Sequence, residues 1–397
     1  MRILIFSNWF PPVISGSSFY AKSLAQSLAN RGHEVVVVTL DWGKEYAPSD
    51  DLSFSIHQLS VLRIPKSRFF YKLELIGYSF TPGNCRRLRK IVEQHSPDIL
   101  HHVNHIFDST FLTSRIARKA KIPIVGSITT PIQNQNPILQ RIMGLADRMI
   151  LGTFGVRHWD RIVSLDKIVH EYVGKLYGTR IQQRSVIIPF GARLDRMSDY
   201  EDPSGSRSSR PQVLMVGHIH PFRNPVQLIR AMPIVLEAIP KARLILAGRA
   251  DINEPIKVAR KLALTSDQVE FVGSKSHSEV VSLMKNSHVF ASWITGPYRA
   301  LGTAPMEAML CETPVINDIP EDLFGEGKLK NNENIILVDS HNPQSIAQAI
   351  IRLLKDEELR HKIGLGGKRF VLDHLNWQGI ASQIESLYES ILTGKAR

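Results

Sequence analysis

The chain has 397 residues, more than one compact core takes and enough for two domains of ordinary size. With 43% hydrophobic and 22% charged residues it is not a disordered tail, a collagen or a coiled coil. Its 49 Lys and Arg exceed 37 Asp and Glu by a formal +12, and the excess is lopsided: residues 1–200 hold 26 bases against 15 acids, residues 201–397 hold 23 against 22.

In chain order, Met1–Ser7 reads as a short buried strand and Asn8–Gly16 as a Pro- and Gly-punctuated loop. A helix is predicted from about Ser17, because Ala21, Leu24, Ala25 and Leu28 recur at helical spacing and Gly32 stops it. The β-branched run Glu34–Leu40 then gives a second strand, so the first 40 residues form a βαβ unit of a parallel sheet. Further strands are predicted at Ile99–Val103, Ile122–Ile128, Arg161–Ser164 and Ser185–Pro189. The polar stretch Arg196–Arg210 reads as a linker. Gln212–Gly217 restarts the pattern, followed by a helix from about Val226 and strands at Arg243–Ala247, Val269–Val272, Val289–Ser292 and Thr313–Ile316. The whole is an α/β chain of two doubly wound halves. Cys85 and Cys311 lie far apart and fit neither a disulfide framework nor a zinc site. The longest aliphatic stretch, Val35–Val38, is too short for a membrane span, and a cytoplasmic protein is the expectation.

Parallel sheets bind ligands beyond the carboxyl ends of their strands, where helix N-termini point. In the first half that position belongs to Gly16, a glycine that lets backbone amides approach a phosphate or sugar and that equally serves as an ordinary turn residue. In the second half, Arg299–Ile316 places Gly302 and Thr303 at a helix start, Glu307 one turn inside, and Thr313-Pro-Val at the next strand. This segment resembles the signature of the retaining, GT-B-fold glycosyltransferases of family 4 (glycosyltransferase group 1). Other stretches agree: Arg31-Gly-His-Glu-Val35, Ser185–Asp195, Val216–Asn224, Phe271–Lys275 and Trp377.

The resemblance implies two Rossmann-like lobes facing a central cleft. Residues 1–200 would form the acceptor-side lobe, rejoined by a crossover helix at 377–397, and residues 201–376 the nucleotide-sugar lobe. It implies transfer of a sugar from a nucleotide-diphosphate sugar to a glycan, lipid-linked or otherwise anionic acceptor with retention, with no metal or other cofactor. Glu307 would bind ribose, Gly302 and Thr303 phosphate, and Gly273, Ser274 and Lys275 the base. Arg223 and His218 stand where the family carries the cations that meet the diphosphate. Arg299 replaces the first signature glutamate, a charge reversal at the sugar pocket. It either selects a donor bearing a carboxylate or adds charge beside the diphosphate, or it marks lost activity. The family's histidine after the Ile122-Pro-Ile strand is Thr129 here. Of His101, His102 and His105 on the preceding strand, His102 is the candidate substitute, with a core role for all three equally open. A sugar-nucleotide epimerase and a degenerate non-catalytic binding protein remain as alternatives.

The acceptor side is the basic one. Residues 61–90 hold eight Lys and Arg against the single acid Glu74, interleaved with aromatics. Lys66, Arg68, Phe69, Phe70, Arg86, Arg87 and Lys90 are the candidate acceptor or membrane surface. An ordinary helix with a solvated basic face is the alternative. Nucleic acid is the weaker reading because no binding motif accompanies the charge. Localisation is then expected in the cytoplasm, peripheral at the inner face of the membrane.

Overall fold

Runs such as Arg2–Ser7 (β1) and Glu34–Leu40 (β2) are buried at every position after the first. Strands covered on both faces carry such continuous apolar runs, and they belong in a parallel sheet with helices on either side. In the computed structural model, residues 1–13, 15–43, 53–63, 77–134, 136–192, 207–296 and 298–394 are described. They divide into two units, Met1–Gly191 with Trp377–Arg397, and Ala192–Asn376.

The first unit adds strands β3 (Ser55–Leu59), β4 (Ile99–Val103), β5 (Ile124–Ile128), β6 (Arg161–Ser164) and β7 (Ser185–Ile187). All pair in parallel in the order β3-β2-β1-β4-β5-β6-β7. Helix α1 (Gly16–Asn30) starts on Ser15, whose hydroxyl accepts from the Ser18 amide, and buries Tyr20, Ala21, Leu24, Ala25 and Leu28. The last helix, α8 (Trp377–Leu392), packs Trp377, Ile380, Ala381, Ile384 and Tyr388 into the same core. β5 is shorter than predicted because Pro123 has no amide proton and the Ile122 amide is spent on the Ala117 carbonyl. The edge strand β3, only partly buried, is a finding of the structure alone.

Between them in sequence, the first unit also contains α2 (Pro82–His95), α3 (Ser109–Ala120), α4 (Pro137–Ala146) and α5 (Lys167–Tyr177). Helix α2 buries Leu88, Ile91 and Val92 and turns Arg86, Arg87 and Lys90 to solvent, the arrangement of an ordinary amphipathic helix on a sheet. Lys66, Arg68, Phe69 and Phe70 lie outside the described residues.

The second unit repeats the plan. Strands β8 (Gln212–Val216), β9 (Arg243–Ala247), β10 (Val269–Gly273), β11 (Val289–Ala291), β12 (Val315–Asn317) and β13 (Ile336–Leu337) pair in parallel in the order β10-β9-β8-β11-β12-β13. Helix α6 (Val226–Ala238) packs on this sheet, and α7 (Thr303–Leu310) leads into β12. β12 begins later than predicted, since Thr313 closes α7 through its bond to the Ala308 carbonyl and Pro314 cannot donate. Of the predicted linker Arg196–Arg210, residues 196–206 lie outside the described set, while Arg207 donates to the Glu312 carbonyl and the Ser208 amide to the Asn286 carbonyl. In each sheet the strand order reverses once, between β1 and β4 and between β8 and β11. Loops leaving adjacent strands diverge there and open a crevice at the carboxyl edge.

Candidate functional site

At the reversal point of the second unit, β8 is followed by Gly217 with φ +142°, and the chain turns through His218 and His220 to Arg223 before α6 begins. His220 caps that turn, its Nδ1 accepting from the Phe222 amide at 3.1 Å. The Arg223 guanidinium lies across Gly217, so near that a Cβ built there would stand 2.8 Å from Nη1. On its other side, a Cβ on Gly302 would come within 3.8 Å of Nη2. Gly302 has φ +78° and no side-chain cap, so the Thr303 and Ala304 amides at the start of α7 are not met by a capping side chain. The sheet thus brings Arg223, Gly217 and the α7 start together although 79 residues separate Arg223 from Gly302.

Arg223 is half-buried and carries no ion pair with any described residue. Burial lowers its guanidinium from the ordinary value. A cation held in this state, beside uncapped helix amides, is a site for an anion. Glu307 lies one turn inside α7, 9% exposed. Gly273, Ser274 and Lys275 leave the end of β10, where the Gly273 carbonyl accepts the Gly248 amide at 2.8 Å and Lys275 pairs with Glu279 at 3.4 Å.

His218 and Arg299 each have a partner among the described residues. His218 Nε2 lies 2.8 Å from Asp251 and 3.2 Å from Arg249 Nε. Arg299 Nη1 donates to Asp318 Oδ1 at 2.5 Å, and Asp318 also accepts the Ser340 hydroxyl at 2.6 Å. Sequence reasoning missed Arg249, Asp251 and Asp318. All three follow the carboxyl ends of predicted strands, and that position was the available signal. Glu312, just past the end of α7, takes φ +56° and pairs with Lys368 at 2.7 Å.

In the first unit, the loops after β1, β4 and β5 gather Gly16, Ser17, Asn104 and Thr129. Ser17 Oγ lies 3.1 Å from both the Thr129 hydroxyl and the Asn104 amide nitrogen. A Cβ on Gly16 would meet nothing within 4 Å, so the α1 start is open. The substitute histidine is a correction. His102 is fully buried, stacked on Phe6, with Nε2 2.9 Å from the Asn104 carbonyl and Nδ1 3.0 Å from the Thr113 hydroxyl. Both ring nitrogens are occupied inside the core, and no reacting atom can reach them. His101 is equally buried, bridging Tyr388 of α8 and Ser127 of β5 at 2.5 and 2.6 Å. His105 sits under Tyr172 beside Asp147.

Four buried or half-buried histidines set an acid limit on folding. Burial pushes His101 and His102 down to about 3, and His220 and His288 down to about 4. Each is neutral when folded and protonates near 6.5 when unfolded, so the unfolded chain binds more protons as pH drops. Their contribution is complete above pH 6.5 and is lost as pH falls toward 4 for His220 and His288 and toward 3 for His101 and His102. The thermal midpoint, followed by circular dichroism, is expected to fall steadily across that window.

Two family models together cover most of the chain: "Glycosyltransferase Family 4" matches residues 14–196 and "Glycosyl transferases group 1" matches residues 197–370. The chain belongs to the group 1, family 4 glycosyltransferases. Transfer of a sugar from a nucleotide-sugar donor is the function that this membership carries. The phosphatidyl-myo-inositol mannosyltransferase of Mycobacterium leprae is 24% identical over 403 residues, covering 100% of this chain and 99% of that one. The alpha-monoglucosyldiacylglycerol synthase of Streptococcus pneumoniae is 24% identical over 348 residues, 82% of this chain and 74% of its own. Among solved structures, the sucrose-phosphate synthase of Thermosynechococcus elongatus superposes with a TM-score of 0.71 at 19% identity over 99% of both chains. The fold of this glycosyltransferase is therefore GT-B, two Rossmann-like units.

Proposed function

We propose that this glycosyltransferase moves a sugar, with retention of configuration, from a nucleotide diphosphate to a lipid-linked acceptor. The observation that carries the reading is Arg223, a half-buried guanidinium without an ion pair among the described residues, set between Gly217 and the uncapped start of α7. Departure of a nucleoside diphosphate leaves negative charge on the β-phosphate. A fixed cation and helix amides already aimed at that position stabilise it without reorganisation. Glu307 accepts the ribose hydroxyls, and Gly273 to Lys275 line the base. The reading assigns the leaving-group charge to these groups and calls on no metal. The acceptor hydroxyl attacks the oxocarbenium-like carbon from the face that the diphosphate leaves, so positioning replaces a protein nucleophile. Two relatives support a lipid acceptor through their names, which carry phosphatidyl-myo-inositol and a glucosylated diacylglycerol. The test is a panel of UDP-, GDP- and ADP-sugars with a dispersed glycolipid acceptor, the product anomer being read by NMR. A retained anomer is the expected result; an inverted one, or no transfer from any donor, overturns the reading.

The Arg299–Asp318 pair bears on donor choice. With its charge compensated, Arg299 offers its remaining N–H groups to sugar hydroxyls, and the pocket suits a neutral sugar. Asp318→Asn keeps an acceptor for Ser340 and uncovers the cation. It is expected to shift the kcat/KM ratio toward uronic-acid donors over neutral ones by about tenfold. An unchanged ratio removes Arg299 from the sugar pocket.

A further inference from the structure

Ten large apolar side chains stand exposed among the described residues, and six of them fall between positions 138 and 154. They are Ile138, Ile142, Leu145, Met149, Ile150 and Phe154, on α4, on the π-helical turn Asp147–Gly152 that continues it, and just beyond. The first three, all on α4, recur at i, i+4 and i+7, an arc of about 60° at 3.6 residues per turn, and Met149 follows on the π-helical turn. Ile138 is 69% exposed and Leu145 62%, and α4 has no buried residue at all.

The opposite face holds the segment down through polar groups. Gln140 spans the Ile132 carbonyl and the Asn134 amide, and the Asn134 side chain reaches Met143 sulfur at 3.7 Å. Asp147 is fully buried, bonded by the Tyr172 and Tyr177 hydroxyls and 3.5 Å from His105. Burial pushes the Asp147 carboxyl up, but His105 and the hydrogen bonds of both tyrosines outweigh it and hold it below the usual carboxylate range. Leu139, Gln140, Met143 and Gly144 are thus half-buried on the seated side, held by Gln140 and the adjoining Asp147, while Ile138, Ile142 and Leu145 stand outward uncovered.

The charge around this face has one sign. Between residues 136 and 158 the only acid is Asp147, which is buried, while Arg141, Arg148 and Arg157 are exposed. A second copy of the chain docking on this patch by a two-fold axis would set those arginines against themselves. An anionic bilayer meets both features: acyl chains take the aliphatic side chains and Phe154, and lipid phosphates take the arginines. The geometry points to the α4–Phe154 face as the surface on which this protein docks onto an anionic membrane. The inference deepens the lipid-acceptor reading and rests on it for its purpose. It moves the docking surface away from residues 61–90, whose described helix α2 packs its own apolar stripe inward.

The test is cosedimentation of the full chain with vesicles of phosphatidylcholine alone or mixed in equal parts with phosphatidylglycerol, at low and high salt. The parent is expected to sediment with the mixed vesicles, weakly with neutral ones, and less at high salt. Arg141→Gln with Arg148→Gln should cut the partition about 30-fold, from two lost arginine–membrane attractions. Ile142→Ser, Leu145→Ser and Met149→Ser combined should cut it by more than about 100-fold. Because these side chains are exposed, the melting midpoint should match the parent, as should transfer to a detergent-dispersed acceptor. A triple variant that partitions like the parent overturns the proposal. So does gel filtration showing a parent dimer that the triple variant dissolves while vesicle binding is unaltered. Parent that binds vesicles but fails to glycosylate any dispersed lipid defeats the acceptor reading and leaves the docking face standing.

Discussion

Arg223→Met is expected to lower kcat/KM by about 10²–10³-fold, the cost of removing one preorganised group from developing negative charge. Gly217 and the α7 start flank the guanidinium, so no neighbouring cation can take its place. His218 faces Asp251, Arg249 is turned to that same pair, and Arg299 is bonded to Asp318. The loss should be concentrated in kcat, because the leaving diphosphate gains charge between ground and transition state. Arg223→Lys should recover part of the rate, since a point charge replaces a fork that can hold two phosphate oxygens. In the absence of donor the Met variant should melt no lower than the parent. Burial already disfavours the charge in the empty protein, so the residue is kept for its ligand at the expense of stability. A parent-like kcat/KM for the Met variant would remove Arg223 from the leaving-group site.

How far the sequence reached depended on whether the interaction was local. Glu34–Leu40 and Gln212–Val216 were readable as buried strands because a parallel sheet covers both faces and leaves a continuous apolar run. The signature at Gly302–Glu307 was readable because a helix start and a carboxylate one turn later are adjacent in the chain. Pairs made by strand order were not readable. Arg299 meets Asp318 across 19 residues, and His218 meets Arg249 across 31, because β8, β9, β11 and β12 lie side by side. Ring direction was invisible too. A histidine at a strand end reads alike whether it faces solvent or, as His102 does, stacks on Phe6 and leans toward Trp159. The same ambiguity hid the outward face of α4, since helical apolar spacing does not say which side is covered.

Gly248→Ala is expected to destabilise the second unit by about 2–4 kcal/mol and to weaken donor binding even where the unit stays folded. Gly248 directly follows β9 with φ +149°, a conformation that L side chains rarely adopt. A Cβ there would stand 2.1 Å from the Gly217 carbonyl oxygen and 2.7 Å from its carbon. The neighbour is backbone and cannot rotate away. It is pinned by the Gly217 amide on the Ala247 carbonyl at 2.9 Å, and Gly248 by its own amide on the Gly273 carbonyl at 2.8 Å. The ends of β8, β9 and β10 would have to separate, and Gly217 moves with them. Since Arg223 rests on Gly217, the anion site shifts with the strand end. Gly302→Ala provides the comparison. Its Cβ would meet Pro305 at 3.7 Å and Arg223 Nη2 at 3.8 Å, both ordinary contacts, leaving only the strain of φ +78° with ψ 168°, about 1–3 kcal/mol. Thermal melts with and without nucleotide diphosphate should rank Gly248→Ala as the more damaging change on both readings. The reverse order would mean that the β8–β9 ends yield more easily than the α7 start, and the stacked glycines would then not be what holds Arg223 in place.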